Sequence, residues 1–431
     1  MREGFSQVLS NLRANKLRSL LTMFGILWGV ISVVVLSATG EGFQRGNQHV
    51  LEELGRNVVI VWGGRTSTQA GGERAGRRVF LTVEDARALA RESRMIAVVS
   101  PELQRGAIQV KSAFNAAALT VHGVEAQYQY IRTIDIEKGR TIRFSDDAAA
   151  HRVAVIGADA AAQLFGTRAA VGQRIQLNGT PYSVIGTIRK KDQDSSYSGP
   201  DNDKVFIPYS AMAKDFPRAD ATAGVVSQLI LAPYPWVLDG LPRALDERTG
   251  RVEDIKWPLE LEVRRILARR HGFDPADSDA IQLWDTSVES LMFARMVQTM
   301  KDFFTLVGFV TLALGGIGVM NIMLVAVRER TREIGVRKAL GATTAQIQRQ
   351  FFLEGFLLTM LSGVAGFAVA LGICALVNLA PMPDRFQGMI LTWQAGVGAV
   401  LSLLFIGVAT STYPARRAAL LPPVEALRYE A

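Results

Sequence analysis

The chain is 431 residues long and 49% hydrophobic, with 48 lysines and arginines against 40 aspartates and glutamates and a single cysteine. One cysteine excludes an intrachain disulfide framework, and this length could hold roughly two or three soluble domains only if the apolar residues were evenly spread. They gather instead in four uncharged stretches, Ser19–Gly40, Phe303–Val327, Gly355–Pro383 and Phe386–Ala415, each at or beyond the roughly 20 residues a helix needs to cross a bilayer.

In residues 1–18, Phe5, Val8, Leu9 and Leu12 recur at helical spacing while Arg2, Ser6, Asn11 and Arg13 fall elsewhere. This predicts an amphipathic helix on the membrane surface, with a solvated connector as the alternative. The first span, 19–40, is too long for an ordinary signal core and runs out through "LSATGEGF", a poor cleavage site, so it reads as a retained anchor. Gly25 and Gly29 within it form GxxxG, a spacing that lets two helix backbones approach.

Residues 41–301 have the mixed pattern of an α+β domain. "NVVIVWGG" reads as a buried strand closed by glycines, and glycine-rich "WGGRTSTQAGGERAG" as a mobile loop. In "LTVEDARAL", Thr82 is a candidate N-cap with Asp85 three residues on. "RIQLNGTPYSVIGTI" predicts a hairpin turning at Asn178 and Gly179, which tolerate the positive φ of a type I′ turn. A charged helix is expected from about Leu259 to Arg270.

A second span (302–327), a basic segment (328–350), a third span (351–380), a short loop (381–391), a fourth span (392–413) and a tail (414–431) complete the reading. Ser362, Gly366 and Ala370 repeat small residues along the third span, a second candidate packing face. Orientation follows from basic residues, which resist translocation. Arg2, Arg13, Lys16 and Arg18 precede the first span, Arg328, Arg330, Arg332, Arg337, Lys338 and Arg349 separate the second from the third, and Arg416, Arg417 and Arg428 follow the fourth. These segments are expected in the cytoplasm with both termini, and the large domain outside it. The excess of positive charge then serves topology and anionic lipid, with no call for nucleic acid.

No catalytic constellation is present. His49, His122, His151 and His271 form no HExxH pair, GxSxG is absent, and Cys374 lies in an apolar span where a thiolate is costly. "DPADSD" from Asp274 lacks the glycine and terminal glutamate of a calcium loop and reads as a solvated turn. No GxxxxGK[ST] occurs, and "GGIGVMN" from Gly315 lies mid-membrane, so ATP dependence must come from a partner.

The segment "RERTREIGVRKALGATTAQI" joins the second and third spans. Helix two is expected to continue past the membrane, with Glu333 four residues before Arg337 for an ion pair and Arg337 and Lys338 in a last turn that suits their charge. Gly341 supplies the stop, and Thr343 with Gln346 offers a capping box for the next helix. A helix-turn-helix knuckle between two spans is the result. The alternative is a plain inside loop.

"NIMLVAVRERTREIGVRKALGATTAQIQRQFFLEGFLL" resembles the signature of MacB/FtsX-type ABC transporter permeases, and "NKLRSLLTMFGILWGV" resembles the start of their first span. "VAVIGADAAAQLFG" and "AVGQRIQLNGTPYSVIGTI" are similar to the family's periplasmic core domain. The resemblance implies four spans around a large extracytoplasmic domain of two subdomains, one inserted at about 113–225, in the cell inner membrane. It implies a dimer, of like or unlike permeases, and a separate ATPase subunit holding the ATP and magnesium. That subunit would engage Arg328, Glu329, Arg330, Glu333, Ile334, Gly335, Arg337, Lys338, Leu340, Gly341 and Ala342. No cofactor is expected on this chain, which carries no ATPase before its first span. The expected function is mechanotransmission, with a peptide, amphiphilic drug or lipoprotein as cargo and a periplasmic adaptor and outer-membrane channel as further partners. A signalling or scaffold protein that activates a periplasmic partner is the alternative. The spans hold almost no ionisable residues to line a polar path, and Glu354, at the cytoplasmic end of the third, suggests an interfacial role.

Overall fold

The computed structural model describes residues 16–55, 57–72, 74–191, 197–217, 224–240, 257–383 and 385–428, with backbone only at 16–22, 54 and 427–428. The amphipathic segment expected around Phe5, Val8, Leu9 and Leu12 lies outside the described residues. The chain divides into two compact units, Asn47–Phe293 and Met1–Gly46 with Ala294–Ala431.

Helix α1 (Lys16–Leu54) is followed by β1 (Val59–Gly63), α2 (Val83–Glu92), β2 (Ile96–Lys111), β3 (Ala116–Val124), α3 (Tyr128–Ile131), β4 (Ile136–Gly139), α4 (Phe144–Ala148), β5 (Val153–Ile156), α5 (Ala158–Phe165), β6 (Arg174–Leu177) and β7 (Thr180–Ile188). Next come β8 (Lys204–Pro208), α6 (Tyr209–Asp215), β9 (Gln228–Pro233), α7 (Pro235–Asp239), α8 (Pro258–His271) and β10 (Ile281–Asp285). The chain ends with α9 (Thr286–Glu329), α10 (Thr331–Ala339), α11 (Thr344–Val377), α12 (Trp393–Ala419) and α13 (Pro423–Arg428).

In the intervening domain the described strands form one sheet in the order β10-β1-β9-β2-β3-β8-β5-β7-β4, with β6 alongside β2 and β7. Strand β1 shows why both faces are covered. Val59 and Val61 enter one apolar cluster with Leu89, Val121, Leu231 and Leu267, while Ile60, one residue out of phase, enters another with Tyr128, Phe206 and Ile230. Local signals place the elements as expected. Thr82 Oγ1 accepts from Asp85 N and Asp85 Oδ2 accepts from Thr82 N at 2.8 Å. Asn178 (φ 44°) and Gly179 (φ 87°) turn β6 into β7.

Two loops differ from the sequence reading. The "DPADSD" turn is not solvated at its centre, because Asp277 is 3% exposed and accepts from Ser67 N and Ser67 Oγ, both at 2.7 Å, and from Thr68 N at 3.2 Å. The same bonds tie down the glycine-rich loop at Ser67 and Thr68. A short side chain that caps another loop's backbone was invisible to a local reading.

Between β2, β3 and the 197–204 segment lies a buried polar group. Glu102 and His122, both fully buried, are paired, and Glu102 also accepts from Tyr197 at 2.7 Å and Gln228 at 2.9 Å. Asp201, also fully buried, pairs with Arg132 (2.6 Å), Lys204 (3.0 Å) and Lys191 (3.1 Å). Lys191 Nζ reaches on to the Glu53 carbonyl at 3.2 Å, and Thr133 Oγ1 donates to Glu52 O at 2.7 Å, so two side chains serve carbonyls in the last turn of α1.

Asp285 closes β10 and caps α9. Its Oδ1 accepts from Ser287 N at 2.8 Å and Val288 N at 3.3 Å, while its Oδ2 is buried without a hydrogen bond. Burial lifts its pKa to about 6, against the pull of the backbone donors. That is above the unfolded value of about 3.9, so the native state binds the proton more tightly and stability falls as pH rises from about 4 to about 6. Asp285→Asn keeps the accepting oxygen. It is expected to remove that slope and to raise stability at neutral pH by up to about 3 kcal/mol, read from thermal unfolding of the full chain between pH 4 and 8. Unchanged pH dependence would overturn this account.

In the membrane unit, four of the described helices, α1, α9, α11 and α12, are long and apolar enough to cross a bilayer. Ile26, Val30 and Val34 of α1 pack with Leu312, Val319 and Met323 of α9, Ala370 of α11 and Ala399, Leu403 and Ile406 of α12. Phe24, Trp28, Leu306, Leu314, Val364, Leu401 and Phe405 are exposed, an apolar surface of the kind lipid covers. The protein is thus an α-helical membrane protein with an α+β domain between its first and second spans.

Candidate functional site

The 328–350 segment is built from two helices and a capped turn. The sequence reading carried helix two unbroken to Lys338; the chain breaks at Arg330 (φ −103°, ψ 14°) and restarts as α10. At the break the Thr331 hydroxyl donates to the carbonyls of Val327 at 3.1 Å and Arg328 at 2.8 Å, satisfying acceptors of the last turn of α9. From there the local signals hold. Arg337 and Lys338 occupy the last turn of α10, and Gly341 follows at φ +97°. Thr343 then caps α11, with Gln346 Oε1 accepting from Thr343 N at 2.9 Å.

The residues singled out in this segment divide between two faces. Ile334, 1% exposed, joins Val327, Ile347 and Phe351 in the membrane-unit core; Gly335 is buried beside it and Ala342 packs against the same cluster. Lys338 turns inward, where Nζ donates to the carbonyls of Ala419 at 2.5 Å and Leu421 at 2.8 Å, at the end of α12. Arg337 pairs with Glu333 at 2.6 Å and donates to Gln350 Oε1 at 2.9 Å. Arg330 sits 3.4 Å from Glu354, itself 8% exposed. Arg328, Glu329, Glu333, Leu340 and Gly341 are at the surface, with Leu340 83% exposed.

Sequence reasoning missed Val336, exposed one turn before Leu340, and α13, which packs on α10 and leaves Leu420 and Val424 exposed. The tandem Pro422-Pro423 was the available signal, since proline suits the first turn of a helix.

The small residues of the spans lie at close crossings. A Cβ on Gly25 would stand 3.0 Å from Gly315 Cα, one on Gly29 2.7 Å from Leu312 Cγ, and one on Gly366 2.7 Å from Leu27 O. Ser362 and Ala370 are fully buried on the same helix as Gly366.

Comparison with known proteins bears on this arrangement. Residues 19–232 match the MacB-like periplasmic core domain and residues 305–423 the FtsX-like permease C-terminal domain. An uncharacterized ABC transporter permease, YknZ of Bacillus subtilis, is 31% identical over 429 residues, covering 99% of each chain. The chain belongs to the MacB/FtsX-type ABC transporter permeases. This permease is also 30% identical to the macrolide export ATP-binding/permease protein MacB of Bdellovibrio bacteriovorus, where the match covers all of this chain but 62% of that protein. The crystal structure of the periplasmic region of MacB from Actinobacillus actinomycetemcomitans aligns with 56% of the permease and 94% of its own chain, at 15% identity and a TM-score of 0.40.

Proposed function

We propose that this permease converts ATP-driven closure of a separate ATPase subunit into movement of its large domain, exporting a peptide, amphiphilic drug or lipoprotein. The ATPase holds the nucleotide and magnesium and docks on the exposed face of the 328–350 segment. The observation that carries the reading is Leu340, 83% exposed at the tip of a knuckle whose other face is buried through Ile334 and Ile347. A large apolar side chain on a rigid, doubly tethered turn is suited to fill a partner's pocket and to pass its motion into α9 and α11.

In this reading the knuckle and both termini are cytoplasmic, the large domain lies on the other side of the inner membrane with an inserted subdomain at about 113–225, and the working unit is a permease dimer. A periplasmic adaptor and an outer-membrane channel would carry cargo onward.

Burying one leucine is worth about 2 kcal/mol, so Leu340→Asp is expected to weaken co-purification of the ATPase roughly thirtyfold. Gly341→Val forces a β-branched residue into positive φ and is expected to impair recruitment as well. Gln348→Ala, which preserves helix propensity, should behave as wild type. Full recruitment and hydrolysis in both Leu340→Asp and Gly341→Val would show the knuckle to be an inside loop only.

A further inference from the structure

Beyond its packing on α9, helix α1 carries a second ladder of small residues, Ala38, Gly42 and Gly46, one per turn. The chain after α11 lies directly on it. Gln387 N donates to Gly42 O at 3.2 Å and Ile390 N to Ala38 O at 3.1 Å, so backbone N–H groups of residues 385–390 bond to carbonyls inside a continuous helix. No side chain fits between them. A Cβ on Gly42 would stand 1.8 Å from Gly388 O, and one on Gly46 2.3 Å from Arg385 O.

The other end of this short segment is held as firmly. Asn378, the C-cap of α11, accepts from Met389 N at 2.7 Å and donates through Nδ2 to Met389 O at 3.0 Å, reproducing a strand-like pair with its side chain. Gly388 adopts φ +82° to make this possible. Phe386 packs on Phe43 with ring centroids 4.7 Å apart. Next to the contact, Lys301 of α9 bonds Glu41 at 3.0 Å and Gln44 at 3.3 Å.

We infer that Gly42 and Gly46 are positioning residues that weld the far end of α11 to α1, so that a push delivered at the Thr343 end of α11 reaches α1 through residues 385–390. The inference rests on the proposed coupling function and names the joint through which it acts. A helix passes axial displacement along its length with little loss because every turn is hydrogen-bonded to the next. The step that loses motion is the passage to another helix, and backbone-to-backbone contact through two glycines is stiffer than contact through rotatable side chains. The weld remains closed throughout the cycle.

Two experiments separate this from the coupling function itself. In a Cys374→Ser background, Phe43→Cys with Phe386→Cys is expected to be joined by a short bifunctional thiol cross-linker in the full permease, and to be joined at least tenfold more slowly once Gly42→Ala lifts the segment. This needs no ATPase, and equal rates in the two backgrounds would remove the weld. In the reconstituted complex, spin labels at Ser278 of the two protomers report nucleotide-dependent movement. Gly42→Ala should keep ATPase recruitment and hydrolysis while losing that movement; Gly372→Ala, where an added Cβ meets nothing within 4 Å, should keep all three. The Phe43→Cys/Phe386→Cys cross-link should leave movement intact. Normal movement in Gly42→Ala, or movement blocked by the cross-link, overturns the inference. Absence of recruitment or movement in the wild type would instead sink the coupling function, with the cross-linking rates still deciding whether the weld exists.

Discussion

Asp201→Ala is expected to lower the stability of the intervening domain by about 3–5 kcal/mol or more, the scale for stranding a buried charge. Asp201 is fully buried and balances three cations, Arg132, Lys191 and Lys204, at 2.6–3.1 Å. Burial alone would push its carboxyl upward, but the three positive neighbours, Arg132 foremost, hold it well below the usual carboxylate range. Its stabilising effect therefore persists above ordinary carboxylate pKa values and is lost only as pH falls through a strongly acidic range. Removing the anion leaves positive charges in a site where Arg132 Nε and Nη1 already lack hydrogen-bond partners. Asp135→Ala makes the contrast, since Asp135 and Arg189 form an exposed pair at 2.6 Å of a kind worth about 1 kcal/mol or less. Thermal unfolding of the full chain, followed by tryptophan emission, reads both. If Asp201→Ala melts with Asp135→Ala, the cluster is not a keystone of the domain.

Gly315→Val is expected to disrupt the membrane unit. A Cβ at Gly315 would lie 2.7 Å from the backbone nitrogen of Ile26 and 2.8 Å from the carbonyl carbon of Gly25. Neither atom belongs to a side chain that can rotate away, so α1 and α9 must separate. Overpacking typically costs 1–3 kcal/mol, and a clash between two backbones should reach about 3 kcal/mol or more. The expected result is a sharp fall in monodisperse protein after extraction and a lower melting temperature. Gly372→Val, on an open face, should show neither. Equal yield and melting for the two would mean the helices do not cross at Gly25 and Gly315.

What the sequence revealed follows from interaction range. Four apolar runs, the Thr82 and Thr343 caps and the Asn178-Gly179 turn are settled by residues within a few positions of one another, so they could be read directly. Contacts between distant segments could not. Lys338 looked like a partner-facing cation, yet it serves the carbonyls of Ala419 and Leu421, some eighty positions away. Glu102 and His122, or Asp201 and Arg132, carry no local mark of their pairing. The break at Arg330 escaped because the helical pattern of side chains continues across it, while the backbone there leaves the helical region.

The pairing of β1 with β10 also has a consequence in time. Val59 lies opposite Asp285, more than two hundred positions later, and its other neighbour β9 pairs through Leu229–Leu231. Ribosomes add roughly 5–20 residues per second, so the first strand of the domain must wait on the order of ten seconds or more before either partner has been made. During that interval "VIVWG" is an apolar, β-prone edge with no mate. Substitutions there that leave the finished sheet untouched can still reduce yield by acting while the strand is alone, and slowing synthesis between residues 63 and 228 should deepen their effect.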